Sequence, residues 1–334
     1  MSVLYSFIIP VYNRPDEVYQ LLESLSRVTG TVPFEVVIIE DGSLKRCDLV
    51  CERFRESLTI NYHFKQNTGP GDSRNYGMRV ATGNYFIILD SDCIVPPAYL
   101  ELVDAALKID FVHCYGGPDA ALERFSNLQK AINYTMTSFW TTGGLRGSSE
   151  QLDKFQPRSF NMGLSKEAYS KTGGFGRIHP GEDPDLVLRL WNLGYRTKLI
   201  SEAFVYHERR LSWRLFYKQV RKFGMVRVIL NKWHAASSRA AYMFPSVFIA
   251  GLLASLPLVL LGFYLPIWCY GMYFLVIAAD ATLKNNITVG VYSVFATLVQ
   301  FTGYGLGFAV SFYQITIRNK QEQEVFPELF FKVK

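Results

Sequence analysis

The sequence predicts an α/β protein: a Rossmann-like domain with a mainly parallel sheet, followed by an amphipathic interface helix and C-terminal transmembrane helices. Two observations lead to this prediction. Segments typical of strands alternate with segments typical of helices over residues 1–207, as in βαβ units. Between residues 241 and 317, Asp280 and Lys284 are the only formally charged residues. We therefore expect four parts: a domain at 1–207, a basic interfacial segment at 208–240, a transmembrane region at 241–317 and a tail at 318–334.

The elements of the first domain follow from its apolar patterning. The segment "LYSFIIPVY" is mostly apolar, which is typical of a buried strand. The segment "PDEVYQLLESLSRV" has apolar residues at helical spacing, with Pro15 in its first turn. The same reasoning predicts strands at 34–41, 58–64 and 85–90 and helices at 45–57 and 71–82.

The N-terminus and the cysteines both favour a cytosolic location for this domain. The first apolar run lacks a basic segment before it and is cut by Asn13, Arg14 and Pro15, so we expect no cleavable signal peptide. The five cysteines have neither paired spacing nor a zinc-binding pattern. We therefore expect reduced thiols.

Polar segments follow four of the predicted strands. Ligands of open α/β sheets bind outside the carboxyl ends of the strands, so these segments are expected to form one site. They comprise Pro10 to Asn13, Glu40 to Ser43, Gln66 to Gly71 and Asp90 to Asp92.

The acid pair Asp90 and Asp92 follows a buried strand directly. Two carboxylates at a strand end supply the oxygen ligands that Mg²⁺ or Mn²⁺ prefers, and substrate phosphates usually complete the coordination. The alternative is an Asp-rich turn that caps the helix after Pro96 and Pro97.

The second strand end carries Glu40 and Asp41. These adjacent acids favour recognition of a nucleotide base or ribose over metal binding, and an Asx turn before a helix is the alternative. Tyr12, at the first strand end, has a ring that can stack on a base or simply pack at the strand end.

The glycine-rich segment "NTGPGDSRNYG" opens a predicted helix around Arg74. Such a helix start can approach a diphosphate closely, and Arg74 can pair with phosphate or base acceptors. An ordinary glycine-rich turn explains the same residues, and the segment alone does not decide between the two interpretations.

Three acids, Glu182, Asp183 and Asp185, fall in the first turn of a predicted helix. Acids there complement the helix dipole, but three of them exceed what capping requires.

In combination, these segments resemble the family 2 glycosyltransferases, which are inverting enzymes with the GT-A fold, here of the membrane-anchored bacterial type. The matching stretches, in family order, are "FIIPVYNR", "VVIIEDGS", "NTGPGDSRNYG", "LDSD", "NMGLSKEAYSKTGGF" and "GEDPDLVLRLWNLGYR". One departure is Glu40, where the family commonly has Asp.

The resemblance implies a role for each candidate residue. Tyr12 and Asp41 would hold the nucleotide base, Asp90 would lie by the ribose and metal, and Asp92 would be the principal ligand of Mn²⁺ or Mg²⁺. Asp183, the second acid of "ED", would be the general base, with Glu182 positioning the acceptor. His207 would reach the metal or diphosphate, although a lone histidine is more often structural. The implied nucleotide-sugar site comprises Pro10, Tyr12, Asp41, Arg74 and Asp90.

Residues 209–239 carry nine lysines and arginines and no acid, interleaved with aromatic residues. Because this segment precedes the apolar region, an amphipathic helix on an anionic membrane surface is favoured over nucleic-acid binding. The apolar region itself fits two or three spans. Its third candidate carries Gly303, Gly305 and Gly307, which suit close helix packing.

The sequence thus predicts a glycosyltransferase, hexosyl or N-acetylhexosaminyl, at the cytoplasmic face of a bacterial inner membrane. The expected partners are a nucleotide-diphosphate sugar, first a UDP-sugar, a hydroxyl acceptor on a lipid or glycan, and membrane lipids. A polyprenyl phosphate as acceptor and a non-catalytic membrane scaffold are the alternatives. The oligomeric state is open, a homo-oligomer included.

Overall fold

A computed structural model describes residues 3–120, 125–143, 155–207 and 212–331. The chain forms two compact units. The first contains Met1–Leu122, Leu152–Glu208 and Phe330–Lys334, and the second contains Glu123–Gln151 and Arg209–Leu329.

The first unit contains all ten strands of the described residues and six helices. The strands are β1 (Tyr5–Val11), β2 (Phe34–Asp41), β3 (Ile60–Lys65), β4 (Tyr85–Leu89), β5 (Cys93–Ile94), β6 (Cys114–Gly116), β7 (Asp119–Ala120), β8 (Asn161–Ser165), β9 (Thr197–Leu199) and β10 (Val205–His207). The helices are α1 (Pro15–Leu25), α2 (Asp48–Arg53), α3 (Pro70–Val80), α4 (Tyr99–Ile109), α7 (Lys166–Thr172) and α8 (Glu182–Asn192). The labels α5 and α6 belong to helices of the second unit.

The main sheet has the strand order β3-β2-β1-β4-β8-β6-β9. Strand β8 runs antiparallel to its two neighbours, and the other neighbouring pairs are parallel. The predicted mainly parallel α/β fold is therefore confirmed. A small second sheet has the order β5-β10-β7.

Apolar side chains cover both faces of the main sheet, as expected for buried strands that are mostly apolar. Phe7 and Ile9 belong to the core on one face, together with residues of α1 and α4. Ile8, between them in sequence, belongs to the core on the other face, together with residues of α3 and α8. The alternation follows from the two-residue period of a strand.

The helix predicted at 45–57 is shorter in the structure, where α2 begins at Asp48 and ends at Arg53. The residues before it are held in a loop, because the side-chain oxygen of Asn13 accepts hydrogen bonds from the amides of Leu44 and Lys45. This contact joins segments 31 and 32 residues apart, and a local sequence pattern does not contain it.

The second unit is helical. Its helices are α5 (Asn127–Thr137), α6 (Phe139–Thr142), α9 (Trp213–Trp233), α10 (Phe244–Leu260), α11 (Leu265–Lys284), α12 (Ile287–Ser311) and α13 (Glu322–Val325), and α12 continues as a π-helical turn over Phe312–Ile317. Within the described residues, three segments are long and apolar enough to cross a membrane: Ala240–Leu260, Leu265–Lys284 and Ile287–Ile317. This is consistent with membrane association.

The predicted interfacial segment forms α9, which packs closely against α12. A Cβ atom on Gly307 would lie 2.2 Å from the carbonyl oxygen of Arg221, and one on Gly303 would lie 2.7 Å from Val220. Glycines at these positions therefore allow the two helices to approach closely. Gly305 performs the same function toward Pro245 of α10.

Candidate active site

The carboxyl edge of the main sheet brings the four polar strand ends together. After β1, the side-chain oxygen of Asn13 accepts a hydrogen bond from the amide of Leu44, in the loop that follows β2. The backbone amide of Asn13 donates to Ser43 Oγ at 2.8 Å. Asn13 has a positive φ of 57°, which asparagine tolerates better than most residues. Asn13 was expected at the site as part of the first strand end, and its tolerance of positive φ is a signal for such a turn.

Asp90 and Asp92 lie at the end of β4, where each carboxylate meets an arginine. Arg74 donates to Asp90 Oδ1 at 2.9 Å, and Arg14 donates to Asp92 Oδ2 at 2.6 Å. The alternative was that these acids cap the helix that follows Pro96 and Pro97. That helix, α4, begins after Ala98 without a side-chain cap. The two acids therefore do not act as caps of that helix.

The carboxylates of Asp90 and Asp92 fit a divalent cation whose remaining ligands come from the substrate. Asp90 and Asp92 keep 33% and 16% of their side-chain surface exposed, so both are accessible from solvent. The described residues contain no cluster of three or more metal-binding side chains. Mg²⁺ in nucleotide sites is usually held by one or two carboxylates together with phosphate oxygens and water, which is the chemistry available here.

Asp41 anchors the loop that follows β3. Its Oδ1 accepts the amide of Thr68 at 3.0 Å and its Oδ2 accepts the amide of Gly69 at 2.9 Å. Lys65 also donates to Oδ1. The predicted contact between Asp41 and a base stays a prediction, since in this structure the carboxylate positions the glycine-rich loop.

Glu40 points away from this edge. Its Oε2 accepts the amide of Cys47 at 2.8 Å and the hydroxyl of Tyr62 at 2.9 Å. Glu40 is fully buried, so it ties the start of α2 to β3. The longer side chain at this position thus serves the fold on the α2 side of the sheet.

The glycines of the loop before Arg74 are explained by packing within the protein. A Cβ atom on Gly71 would lie 2.8 Å from the carbonyl oxygen of Gly176, and one on Gly77 would lie 2.6 Å from Ile8. Gly69 has a φ of 95°, which disfavours other residues. These contacts favour the turn interpretation for the glycines, and the phosphate interpretation stays open for Arg74.

Arg74 is buried and joins two acids across the edge. Besides Asp90, its guanidinium donates to Glu182 Oε1 at 3.1 Å. Helix α8 begins at Glu182 after Gly181, whose φ is 122°. The end of β4 and the start of α8 are therefore linked through one side chain.

Glu182 is held as an anion. Burial alone would raise its pKa, but the hydrogen bond from His179 and the charges of His179 and Arg74 outweigh burial and hold the pKa well below its usual range. His179 Nδ1 lies 2.9 Å from Glu182 Oε1. Sequence reasoning missed His179, since a histidine three residues before an acid has no distinctive pattern.

Asp183 has the opposite electrostatic environment. Burial and the neighbouring charge of Glu182 raise its pKa, although the charges of Arg74 and Arg158 and a hydrogen bond with the Ser159 side chain oppose this. Its Oδ2 accepts the Ser159 amide at 3.2 Å. Among the described residues, its Oδ1 is buried and has no hydrogen-bond partner. A carboxylate with a raised pKa and an unpartnered oxygen is suited to accept a proton.

Asp185, the third acid of the turn, is committed to the fold. Its Oδ2 accepts hydrogen bonds from Arg189 Nε at 3.1 Å and Nη2 at 2.8 Å. Arg189 also donates to the carbonyl oxygens of Thr172 and Gly174. The three acids therefore differ in their contacts although they share one helical turn.

Of the other predicted residues, Pro10 and Tyr12 lie at the same edge and His207 lies in the second sheet. Pro10 and Tyr12 are at the end of β1, and Tyr12 is 53% exposed, so its ring is available to a ligand. The backbone of His207 pairs with Cys93 across β10 and β5, one residue after Asp92. The role implied for His207 stays a prediction.

Comparison with known proteins gives a family match and a fold match. The family model described as glycosyl transferase family 2 matches residues 6–172. An uncharacterized glycosyltransferase of Haemophilus influenzae is 34% identical over 114 residues, which is 33% of this chain and 38% of that protein. The validoxylamine A glucosyltransferase of Streptomyces hygroscopicus subsp. jinggangensis is 33% identical over 122 residues, 34% of this chain and 29% of that protein. The matches thus span well under half of these relatives' lengths.

Two solved structures have the same fold over most of the chain. A mannosyltransferase from Pyrobaculum calidifontis, in complex with GDP-Man and Mn²⁺, has a TM-score of 0.58 at 16% identity, covering 95% of this chain and 88% of that one. S. aureus TarS 1-349 has a TM-score of 0.50 at 15% identity, covering 95% and 92%.

Proposed function

This chain belongs to glycosyl transferase family 2, and we propose that it is a metal-dependent inverting enzyme acting at the cytoplasmic face of a membrane. The donor is a nucleotide-diphosphate sugar, first a UDP-sugar. The acceptor is a hydroxyl group of a lipid-linked molecule or a glycan. The transferred group is a hexosyl or N-acetylhexosaminyl residue.

The environment of Asp183 is the observation that carries this proposal. A hydroxyl acceptor must lose its proton as the new bond forms, so a base is required within reach. Asp183 combines a raised pKa with an oxygen that has no hydrogen-bond partner among the described residues. Its other oxygen is fixed by the amide of Ser159, which orients the carboxylate.

The reaction is a single displacement. The acceptor oxygen attacks the anomeric carbon, its proton passes to Asp183 Oδ1, and the bond from that carbon to the diphosphate oxygen breaks. Glu182 is ionised and held by Arg74 and His179. Its carboxylate accepts a hydrogen bond from a second hydroxyl group of the acceptor molecule and so orients that molecule. Because attack and departure occur on opposite faces, the anomeric configuration is inverted.

The donor lies across the ends of β1 and β4. Tyr12 and Pro10 line the side of the base, Asp41 fixes the loop beside it, and Arg74 and Asp90 lie toward the ribose and diphosphate. Asp90 and Asp92, with His207 as a third candidate, would hold Mn²⁺ or Mg²⁺. That ion would neutralise charge on the departing diphosphate.

The membrane assignment rests on the second unit. Its three apolar segments suit anchoring, and α9 has exposed Arg214, Lys218 and Arg221 at helical spacing. Such a basic stripe favours anionic headgroups on the cytoplasmic side. An inner membrane and an acceptor carried at that surface are the corresponding proposals.

The test is transfer by the full chain purified in detergent. UDP-sugars and then GDP-sugars are supplied with Mn²⁺ and hydroxyl acceptors, and the anomeric configuration of the product is determined by NMR. We expect an inverted product, and we expect Asp183→Asn to lose about 10² to 10⁴-fold in transfer rate while binding nucleotide normally. Asp110→Asn is the matched control, since Asp110 pairs with Arg196 and Lys198 after the C-terminus of α4.

Each alternative has its own outcome in this test. Near-normal transfer by Asp183→Asn would contradict the base assignment and favour a polyprenyl phosphate acceptor, which needs no base. A retained configuration would contradict the single displacement. Nucleotide binding without transfer to any acceptor class would favour the non-catalytic scaffold.

A further inference from the structure

The last two described residues, Phe330 and Phe331, belong to the first unit although residues 209–329 precede them in the second. Phe330 forms an isolated antiparallel bridge with Ile178, and the amide of Phe331 donates to the carbonyl oxygen of Arg177 at 3.1 Å. The C-terminal segment is therefore attached by its backbone to the segment that leads into α8.

The ring of Phe331 lies between two parts of the proposed active site. A Cβ atom on Gly69 would lie 2.3 Å from carbons of this ring, so the ring packs directly on the backbone of the loop that Asp41 holds. On the other side, its centroid is 5.9 Å from that of His179. The ring thus touches the donor-side loop and the histidine that pairs with Glu182.

These contacts continue across the site. Next to Phe331, His179 Nδ1 lies 2.9 Å from Glu182 Oε1. Arg74 Nη1 donates to the same oxygen of Glu182 at 3.1 Å, and Arg74 Nη2 donates to Asp90 Oδ1 at 2.9 Å. The contact between Phe331 and His179 is ring packing, and the other three contacts are hydrogen bonds.

We propose that Phe331 is a positioning residue for glycosyl transfer, which holds His179 against Glu182 from the C-terminal end of the chain. This inference rests on the proposed function and adds to it a residue from beyond the apolar helices. Its physical basis is packing: His179 is 43% exposed, so without the ring it has other rotamers available in solvent. A misplacement of about 1 Å at a reacting group can cost about 10²-fold in rate.

The test compares Phe331→Ala with wild type in the full-length enzyme. We expect kcat to fall about tenfold or more, and the dissociation constant of the nucleotide with Mn²⁺ to change less than about threefold. The nucleotide is spared because the bonds from Asp41 to Thr68 and Gly69 remain. Phe331→Tyr keeps the ring and should restore most of kcat. Phe64→Ala is the control and should leave kcat unchanged. Phe64 has a half-exposed ring on β3 that contacts Arg46.

A double-mutant cycle with His179→Gln tests the path of the effect. Contacting residues that act together give non-additive changes, so the double variant should lose little more kcat than either single variant. Additive losses would overturn the positioning role. Wild-type kcat in Phe331→Ala would also overturn it, and would leave the proposed function standing if Asp183→Asn is inactive.

Hydrogen exchange supplies a readout that needs no turnover. In Phe331→Ala, the amides of residues 177–182 should exchange faster than in wild type, since the bridge and the ring contact both weaken. Unchanged exchange in this segment would contradict the inference even if no donor sugar is turned over. Absence of transfer by the wild-type enzyme, with faster exchange in the variant, would instead reject the proposed function.

Discussion

Arg14 donates a hydrogen bond to Asp92 at 2.6 Å, so its guanidinium lies where a divalent cation would approach this carboxylate. Arg14 is 47% exposed, and ion pairs of this kind contribute at most about 1 kcal/mol. The pair can therefore open when a stronger cation arrives.

The first prediction concerns this competition. Arg14→Gln should raise the affinity for Mn²⁺ in the absence of nucleotide by up to about fivefold, because the competing charge is removed. Titration calorimetry or the EPR signal of free Mn²⁺ measures the change. Arg27→Gln, which opens a surface pair with Glu23, should leave Mn²⁺ affinity unchanged. Equal or weaker binding by Arg14→Gln would contradict the competition.

The second prediction concerns Asp92 itself. Asp92→Asn should abolish turnover with the fold intact, since a hard ligand and a compensating charge disappear together. Transfer assays in Mn²⁺ and circular dichroism make the comparison. Near-normal transfer by this variant, or full wild-type activity in excess EDTA, would remove the metal role.

The sequence predicts the strands that lead into the site well because the relevant signals are local. The segments of β1, β2 and β4 are mostly apolar, and polar residues follow each of them closely in sequence. Their meeting at one edge then follows from the geometry of parallel strands. The contact of Asp41 with Gly69, however, depends on side-chain directions that the sequence does not specify.

Two long-range features were not predictable in this way. Helices α5 and α6 belong to the helical unit and Phe331 belongs to the first unit, although each lies far in sequence from its neighbours there. Glu40 shows the same limitation at short range. Its carboxylate turns to Cys47 and Tyr62, a choice that depends on which face of β2 the residue occupies.

The third prediction is that Asp183→Asn makes the folded protein more stable at pH 8. The raised pKa of Asp183 means that the folded protein binds this proton more strongly than the unfolded chain. The stabilisation of the folded state by this proton is complete below the ordinary aspartate pKa of about 4. It is lost as pH rises through the raised pKa of Asp183. Asp183→Asn should therefore melt at a higher temperature than wild type at pH 8, with the difference shrinking toward pH 4. A lower melting temperature at pH 8 would contradict this.

The fourth prediction concerns the contact between α9 and α12. Gly307→Ala should destabilise the protein by about 1–3 kcal/mol, because the new Cβ atom would lie 2.2 Å from the carbonyl oxygen of Arg221. Gly271→Ala on α11 is the control, since no other atom lies within 4 Å of its Cβ position among the described residues. Thermal unfolding in detergent compares the two. Equal melting temperatures would show that α9 does not pack on α12 in this way.

The fifth prediction uses the coupling between the two acids of α8. If Asp183 is the base, kcat/KM rises with pH as Asp183 loses its proton, and this acidic limb lies above the ordinary aspartate range because its pKa is raised. The charge of Glu182 is one cause of that rise. Glu182→Gln removes the charge, so the limb should move to lower pH, even though the rate itself falls.

The matched variant for this measurement is Asp185→Asn, in the same helical turn. Asp185 is paired with Arg189 and is not among the largest causes of the raised pKa of Asp183, so its removal should leave the limb in place. A limb that stays fixed in Glu182→Gln would mean that the titrating group is not Asp183. A limb that moves upward would mean that Glu182 is not an anion beside it, and the division of functions between these two carboxylates would then be wrong.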